Sequence, residues 1–252
     1  MAADGYDVCV LGRRAEPLAQ VAESVGGLAV TADVADPSDV RRAVAACLER
    51  FGGLDALVIS SGAGAGGTVL DQTLERWNRV LSTNLTGTFL VCQAALKALI
   101  ASHGAIVVVS SLAGLRASPA SAAYCASKAG MIMLTKSMAL DYGPLGVRAN
   151  CVCPGWIRTD MGDAAMSELA AERGVDGDSA YDLATADVPA RRAGRAEEVA
   201  EAITWLASPA ASYVNGAVLT ADGGAELVDV ATLAFAPQRR PAQSQREVKQ
   251  EE

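Results

Sequence analysis

The sequence predicts a single α/β domain built on a doubly wound parallel sheet, with helices packed on both faces. Three observations lead there. Short apolar runs alternate with longer patterns of helical period along most of the chain, and strands that alternate with helices build parallel sheets. At 252 residues the length suits one large domain of this class. The composition agrees: 51% hydrophobic residues support a sizeable core, and only 4% are aromatic, which fits small-residue helices laid closely on a buried sheet.

Taken in order, "YDVCVL" predicts a strand over Asp7–Leu11, and "GRRAEPLAQVAESV" a turn followed by a helix over Glu16–Val25. Leu28–Ala32 is the next apolar run. "DPSDVRRAV" starts a helix over Ser38–Phe51, with Asp36 as its cap and Pro37 suited to the first turn. Strands follow at Ala56–Ser60 and Ala105–Ser110, separated by a long helical pattern over Thr73–Ile100. Asn84 and Gly87 within "STNLTG" weaken that pattern and predict a break. Ala122–Tyr142 reads as a helix, Arg148–Val152 as a strand, Glu197–Ala207 as a helix and Ala217–Thr220 as the last strand. The domain is expected over residues 1–234. Within it, residues 155–194 form a long insert with one short helix near Asp163–Arg173, the kind of segment that serves as a substrate lid. Residues 235–252, polar and aperiodic, are expected to be a disordered tail.

Charge and cysteine content narrow the function classes. Twenty-one Lys and Arg against 29 Asp and Glu leave a net charge of −8, which argues against nucleic acid as a partner. The six cysteines, Cys9, Cys47, Cys92, Cys125, Cys151 and Cys153, fall in apolar runs without framework spacing. They read as free thiols of a reduced compartment. Cys151 and Cys153 stand close in sequence, but the chain has one histidine, His103, and no metal site is expected. No charged-then-apolar leader precedes "MAADGYD", and no apolar stretch approaches the ~20 residues of a membrane span. A cytoplasmic protein with no membrane partner is expected.

"GAGAGG" offers Gly62, Gly64 and Gly67 at the G-x-G-x-x-G spacing of a dinucleotide loop. The context fails. A second strand ending in Asp or Glu should follow about 20 residues on, whereas the chain runs into helical "NLTGTFLVCQAAL". A tight turn over a cofactor edge, or a plain loop, fits the run better. The stronger constellation lies in "VVVSSLAGLRASPASAAYCASKAG". Tyr124 and Lys128, four residues apart, share one face of the predicted helix. Ser110 and Ser111 close a strand at the carboxyl edge, where open α/β sheets place their sites. A free tyrosine has a pKa of about 10; a nearby ammonium stabilises phenolate and moves it toward the working range. A serine hydroxyl can hold a carbonyl oxygen while the phenol delivers a proton. Taken alone, the same pair is what an amphipathic helix carries on its surface.

The surroundings decide between the two. "NLTG", "SS…YCASK" and "PGWIRT", in that order, with Asp33–Val34 and the closing "VNGAVLTADGG", resemble the short-chain dehydrogenase/reductase superfamily from about Tyr6 to about Ala225. The resemblance implies a Rossmann-like fold and an NAD(P)-dependent oxidoreductase. Its reaction would be that of a carbonyl reductase or alcohol dehydrogenase, 3-oxoacyl reductase-like, moving hydride between nicotinamide and a ketone or secondary alcohol. It makes Tyr124 the catalytic acid/base, with Lys128 lowering its pKa and binding the nicotinamide ribose. Ser111 orients the substrate carbonyl, and Asn84 supports a proton-relay water. Toward the cofactor, it places Asp33 and Val34 against adenine and Thr159 on the nicotinamide carboxamide. Ser60, Gly62, Pro154, Gly155 and Ile157 lie along the same site. A small carbonyl or alcohol substrate is implied, and so is a homo-oligomer, dimer or tetramer, built on the two long central helices.

After the strand matching "YDVCVL", NAD users of the family present an acid to the ribose 2′-OH. Here Gly12 is followed by Arg13 and Arg14, which suit a 2′-phosphate, so NADP(H) is expected over NAD(H). Members of the family begin with a strand, a T-G-x-x-x-G-x-G loop and a helix before that strand. The sequence does not contain this first unit, whose strand is central in the family's sheet, so the strands on either side are expected to lack a ladder partner. Its loop supplies the N–H groups that hold pyrophosphate. The rival expectation is therefore a non-catalytic relative, or a fragment from a misassigned start, unable to bind dinucleotide. A second departure is "ISSG" at Ile59–Gly62, where the family shows Asn and Ala before the glycine; the Ser60 hydroxyl still offers a hydrogen bond.

Overall fold

The computed structural model describes residues 1–64 and 66–235. After a 3-10 turn (Ala2–Asp4) come β1 (Cys9–Gly12), α1 (Ala15–Ser24), β2 (Leu28–Thr31), α2 (Pro37–Phe51) and β3 (Ala56–Ile59). Then follow α3 (Leu74–Leu81), α4 (Gly87–Ser102), β4 (Ala105–Val109), α5 (Ala122–Tyr142) and β5 (Arg148–Pro154). The last part holds β6 (Ile157–Arg158), α6 (Asp160–Arg173), α7 (Gly177–Thr185), β7 (Gly194–Arg195), α8 (Ala196–Ala207) and β8 (Val218–Ala221). Every strand ladder is parallel, as the alternation predicts. The start of α2 shows how local chemistry sets the ends. Asp36 accepts from the N–H groups of Ser38 and Asp39, Pro37 occupies the first turn, and Gly52 stops the helix at φ 79°.

Helices cover both faces of the sheet. Ile106 and Val108 of β4 point to one face and Val107 to the other, all 0% exposed. On the first face α4 lays Val91, Cys92, Ala95 and Leu99, and α5 lays Met131 and Met138. On the second, Val199 and Leu206 of α8 meet Val107 and Val152. Each fully buried Leu, Ile or Val side chain stabilises the fold by about 1.5–3 kcal/mol, so the double layer holds the sheet rigid beneath its carboxyl edge.

The sheet itself is in separate pieces. Among the described residues β1 pairs with β2 alone, while β3, β4, β5 and β8 form a four-stranded sheet in that order. β1 and β3 thus bond on one side only, as expected where the resemblance places a strand between them. All of β1 and Ala56–Val58 of β3 stay half-buried, whereas Ala105–Val108 and Ala149–Cys153 are buried.

Three expectations are corrected. "STNLTG" does not break the helix: Ser82–Thr86 forms one π turn that links α3 to α4. The wider turn absorbs an extra residue, and Asn84 is buried in it, 0% exposed. The insert is more structured than one short helix. Its α6 and α7 pack around Met166, Ala180 and Tyr181, and β6 pairs with β7. Finally, the run Leu74–Ser102 contains a window of mean hydropathy 1.5, long and apolar enough to cross a membrane by length and composition. Its buried residues, Val80 and then Val91, Cys92, Ala95 and Leu99, face the protein core. The expected tail lies outside the described residues except for Phe235.

Candidate active site

β4 delivers two serines to the carboxyl edge, and they bond differently. Ser110, 4% exposed, donates its hydroxyl to the Lys128 carbonyl at 2.8 Å, tying the strand end to α5. Ser111 caps the 3-10 turn Leu112–Gly114, its Oγ accepting from Ala113 N–H at 3.1 Å, and its side chain is near enough to the Tyr124 phenol to act on its ionisation. Tyr124 and Lys128 stand one turn apart on α5. Lys128 Nζ donates to the Val109 carbonyl at 3.0 Å and sits 5.6 Å from the centroid of the Tyr124 ring.

Burial dominates the electrostatics of the pair. It pulls Lys128 down to about 8, with the Cys151 and Cys153 sulfurs pushing back. It also raises the Tyr124 phenol above its ordinary value, Ser111 pulling in the other direction. In this arrangement desolvation outweighs any lowering of the phenol by the ammonium, because removing water disfavours phenolate and ammonium alike.

Asn84 is fully engaged. Its Oδ1 accepts from Ala63 N–H at 2.7 Å, and its Nδ2 donates to the Ala63 carbonyl at 3.0 Å and to Ser127 Oγ at 2.9 Å. A relay water at Asn84 would be left with the backbone carbonyl, which already accepts from Thr88 at 2.6 Å. Ser127, which sequence reasoning passed over, is 0% exposed and donates to the Tyr124 carbonyl at 2.8 Å. It couples the π turn to α5; its place beside Lys128 in "YCASK" was the available signal. Gly62 completes the cluster: a Cβ there would stand 3.7 Å from both Asn84 Oδ1 and Lys128 Nζ.

The other expected residues lie on separate elements around this cluster. Ser60 is exposed just past β3. Arg13 is exposed and makes no ion pair among the described residues, while Arg14 Nη1 meets Asp160 Oδ2 at 3.2 Å, joining the β1–α1 turn to the start of α6. Asp33 accepts from Ala35 N–H at 2.9 Å. Val34 is a core residue, 7% exposed, whose side chain packs under α4, where a Cβ on Gly87 would come within 2.8 Å of it. Pro154 ends β5, Gly155 N–H donates to the Ala221 carbonyl at 3.2 Å, and Ile157 pairs with Gly194. Thr159 caps α6, accepting from Gly162 N–H at 3.2 Å. At the end of the glycine run, Gly67 N–H donates to the Ala120 carbonyl at 2.7 Å and Gly67 bridges to Ser121, bracing the segment that leads into α5. Among the described residues no group of three or more His, Cys, Asp or Glu is placed to hold a metal.

A serine at a strand end beside a tyrosine–lysine pair, on a parallel sheet wrapped by helices, defines the class as dehydrogenase or reductase. Residues 1–226 match the family model described as Enoyl-(Acyl carrier protein) reductase, and the chain belongs to the short-chain dehydrogenase/reductase superfamily. It is 40% identical over 236 residues to Protein MoaE of Klebsiella aerogenes, covering 92% of this chain and 90% of that one. It is also 40% identical over 200 residues to 2-(R)-hydroxypropyl-CoM dehydrogenase of Xanthobacter autotrophicus, covering 78% and 76%. A solved structure of a variant actinorhodin polyketide ketoreductase with NADPH superposes with a TM-score of 0.85 at 32% identity, covering 90% of each chain. The Rossmann-like fold and the oxidoreductase class are thereby shown.

Proposed function

We propose that the protein is a carbonyl reductase or secondary-alcohol dehydrogenase that prefers NADP(H), acting on a small neutral ketone or alcohol. The observation that carries this is the convergence of Ser111, Tyr124 and Lys128 at the end of β4, with Asn84 and Ser127 stitching the neighbouring loop to α5. The donor set suits a dinucleotide. Lys128 keeps N–H donors beyond the one bound to Val109, Gly62 leaves room beside it, and Arg13 is free to meet a 2′-phosphate.

A bound nicotinamide supplies or accepts hydride. Tyr124 holds the proton at its phenol oxygen and passes it to the substrate oxygen, or takes it in the reverse direction. Ser111, whose side chain acts on that phenol, orients the carbonyl. Lys128 holds the ribose and keeps positive charge near the phenol as phenolate develops. Residues 155–194 act as the substrate lid. The exposed apolar side chains of α4 and α5, Phe89 at 44%, Met133 at 64% and Leu140 at 78%, form the contact of a homo-oligomer in a reducing, cytoplasmic setting. The second reading, a non-catalytic relative, is favoured by the one-sided pairing of β1 and β3. Titrating NADPH and assaying ketone reduction on the chain and on Tyr124→Phe separates them. The proposal expects binding by both and turnover only by the first; binding by neither supports the second reading.

A further inference from the structure

One pair of reactive side chains takes no part in that chemistry. Cys151 and Cys153 flank Val152 on β5, so both point to the same face of the sheet, where they pack with Ile132 of α5. Their Sγ atoms stand 4.0 Å apart, and both residues are 0% exposed. The pair lies directly behind the active site. The Lys128 ammonium acts on both sulfurs. The neighbouring Cys151 thiol above all, with smaller help from Ser111, Ser110 and Lys128, lowers Cys153 from the usual thiol value against the effect of burial, while Cys151, bonded to it and buried, is raised.

We propose that Cys151 and Cys153 form a two-thiol site for a trivalent organoarsenical, and that filling it stops turnover through Lys128. Ligand number selects this chemistry. Structural zinc needs four ligands, and no third ligating side chain joins the pair among the described residues, whereas an arsenic atom carrying one organic group needs two sulfurs. Spacing agrees: thiolate bonds of about 2.3 Å to one centre keep two sulfurs within about 4.6 Å of each other. In the step, an R–As=O reagent forms two As–S bonds; the As=O and both S–H bonds break, and the oxygen leaves as water with the two protons. Arsenic stays trivalent and no electrons are transferred. The product replaces both thiols beside Lys128 with arsenic-bound sulfur and puts new bulk between β5 and α5. Access comes through β8, an edge strand of four half-buried residues opposite both cysteines, since short edge strands open at low cost.

The site stands without the proposed activity; its effect on turnover rests on that activity. The test treats the full chain with phenylarsine oxide and reads intact mass, peptide mapping and ketone reduction. Cys9 and Cys47 are a second pair of free thiols close enough to act on each other, so the experiment uses the Cys9→Ser chain. The expected result is one arsenic per chain mapped to Cys151 and Cys153, with turnover lost in step and restored by ethanedithiol. Cys151→Ala and Cys153→Ala, each confirmed as folded by its melt, lose the adduct. Absence of the adduct in the folded Cys9→Ser chain overturns the site. An adduct with undiminished turnover overturns the coupling to Lys128. If the untreated chain reduces no ketone, the activity fails as a separate matter, and the mass readout still decides the site.

Discussion

At the scale of single residues, the site works through pairs whose roles the structure separates. Ser110 and Ser111 are neighbours in sequence, yet Ser110 is spent on the Lys128 carbonyl and Ser111 acts on the phenol. Tyr124→Phe keeps the ring's packing and removes the transferable proton. Turnover should fall about 100-fold or more with NADPH affinity nearly unchanged; a variant retaining a tenth of the rate would refute the general-acid role. Lys128 gives a pH signature. Its ammonium titrates near 8, so dinucleotide affinity should fall as pH rises through that value, read by fluorescence titration across about pH 6.5–9.5. A flat profile would mean the lysine does not hold the cofactor. The same shift has a sign for stability. Between about 8 and 10.5 the unfolded chain binds a proton the native state has shed, so this contribution to stability rises with pH across that window. Arg13→Ala should weaken NADPH by about tenfold and leave NADH unchanged, whereas equal losses would mark a structural arginine.

At the scale of elements, the legible parts were those with a single period and a clear cap. Asp36 and Pro37 announced α2, and Ala122–Tyr142 was legible end to end. What stayed hidden depended on contacts far away in sequence. Asn84 read as a helix breaker, because no local rule shows that its amide closes two bonds on Ala63 across 21 residues. The packing of the Val34 side chain under Gly87 was not legible either, because it is tertiary. The insert read as a loop with one helix, because its small core is assembled from Met166, Ala180 and Tyr181 on two helices. Local spacing places Tyr124 and Lys128 on one helix face and Ser110 and Ser111 at a strand end, but it was the ordered set of motifs resembling the family that singled out Tyr124, Lys128 and Ser111. Asn84 also yields a prediction for the π turn. Asn84→Ala leaves the half-buried Ala63 N–H and carbonyl without their partner, so water recovers part of the about 1–3 kcal/mol that each fully buried group would cost. The melting temperature should drop by several degrees and turnover should fall with it; an unchanged melt would show that water replaces the amide.

At the scale of the whole molecule, the deciding feature is a parallel sheet whose two pieces do not bond to each other. Ala56–Val58 of β3 and all of β1 are half-buried strands with one bonded edge each. A strand with a free row of N–H and carbonyl groups is a template for another strand. Net stability of a domain is only about 5–15 kcal/mol, so unpaired groups at about 1–3 kcal/mol each weigh heavily once apolar neighbours exclude water. The polypeptide Met1–Glu252 alone should therefore associate through two distinct surfaces. One is the apolar face of α4 and α5, which gives a defined oligomer. The other is the strand edges, which give open-ended, concentration-dependent assembly. Met133→Glu with Leu140→Glu charges the first surface, where both side chains are exposed, and leaves the edges untouched. Light scattering on that double variant should still show mass growing with concentration, and the β3 amides should exchange with solvent faster than those of buried β4. A double variant that is strictly monomeric with protected β3 amides would mean that the two pieces of the sheet close on each other in solution, and the edge argument would fail.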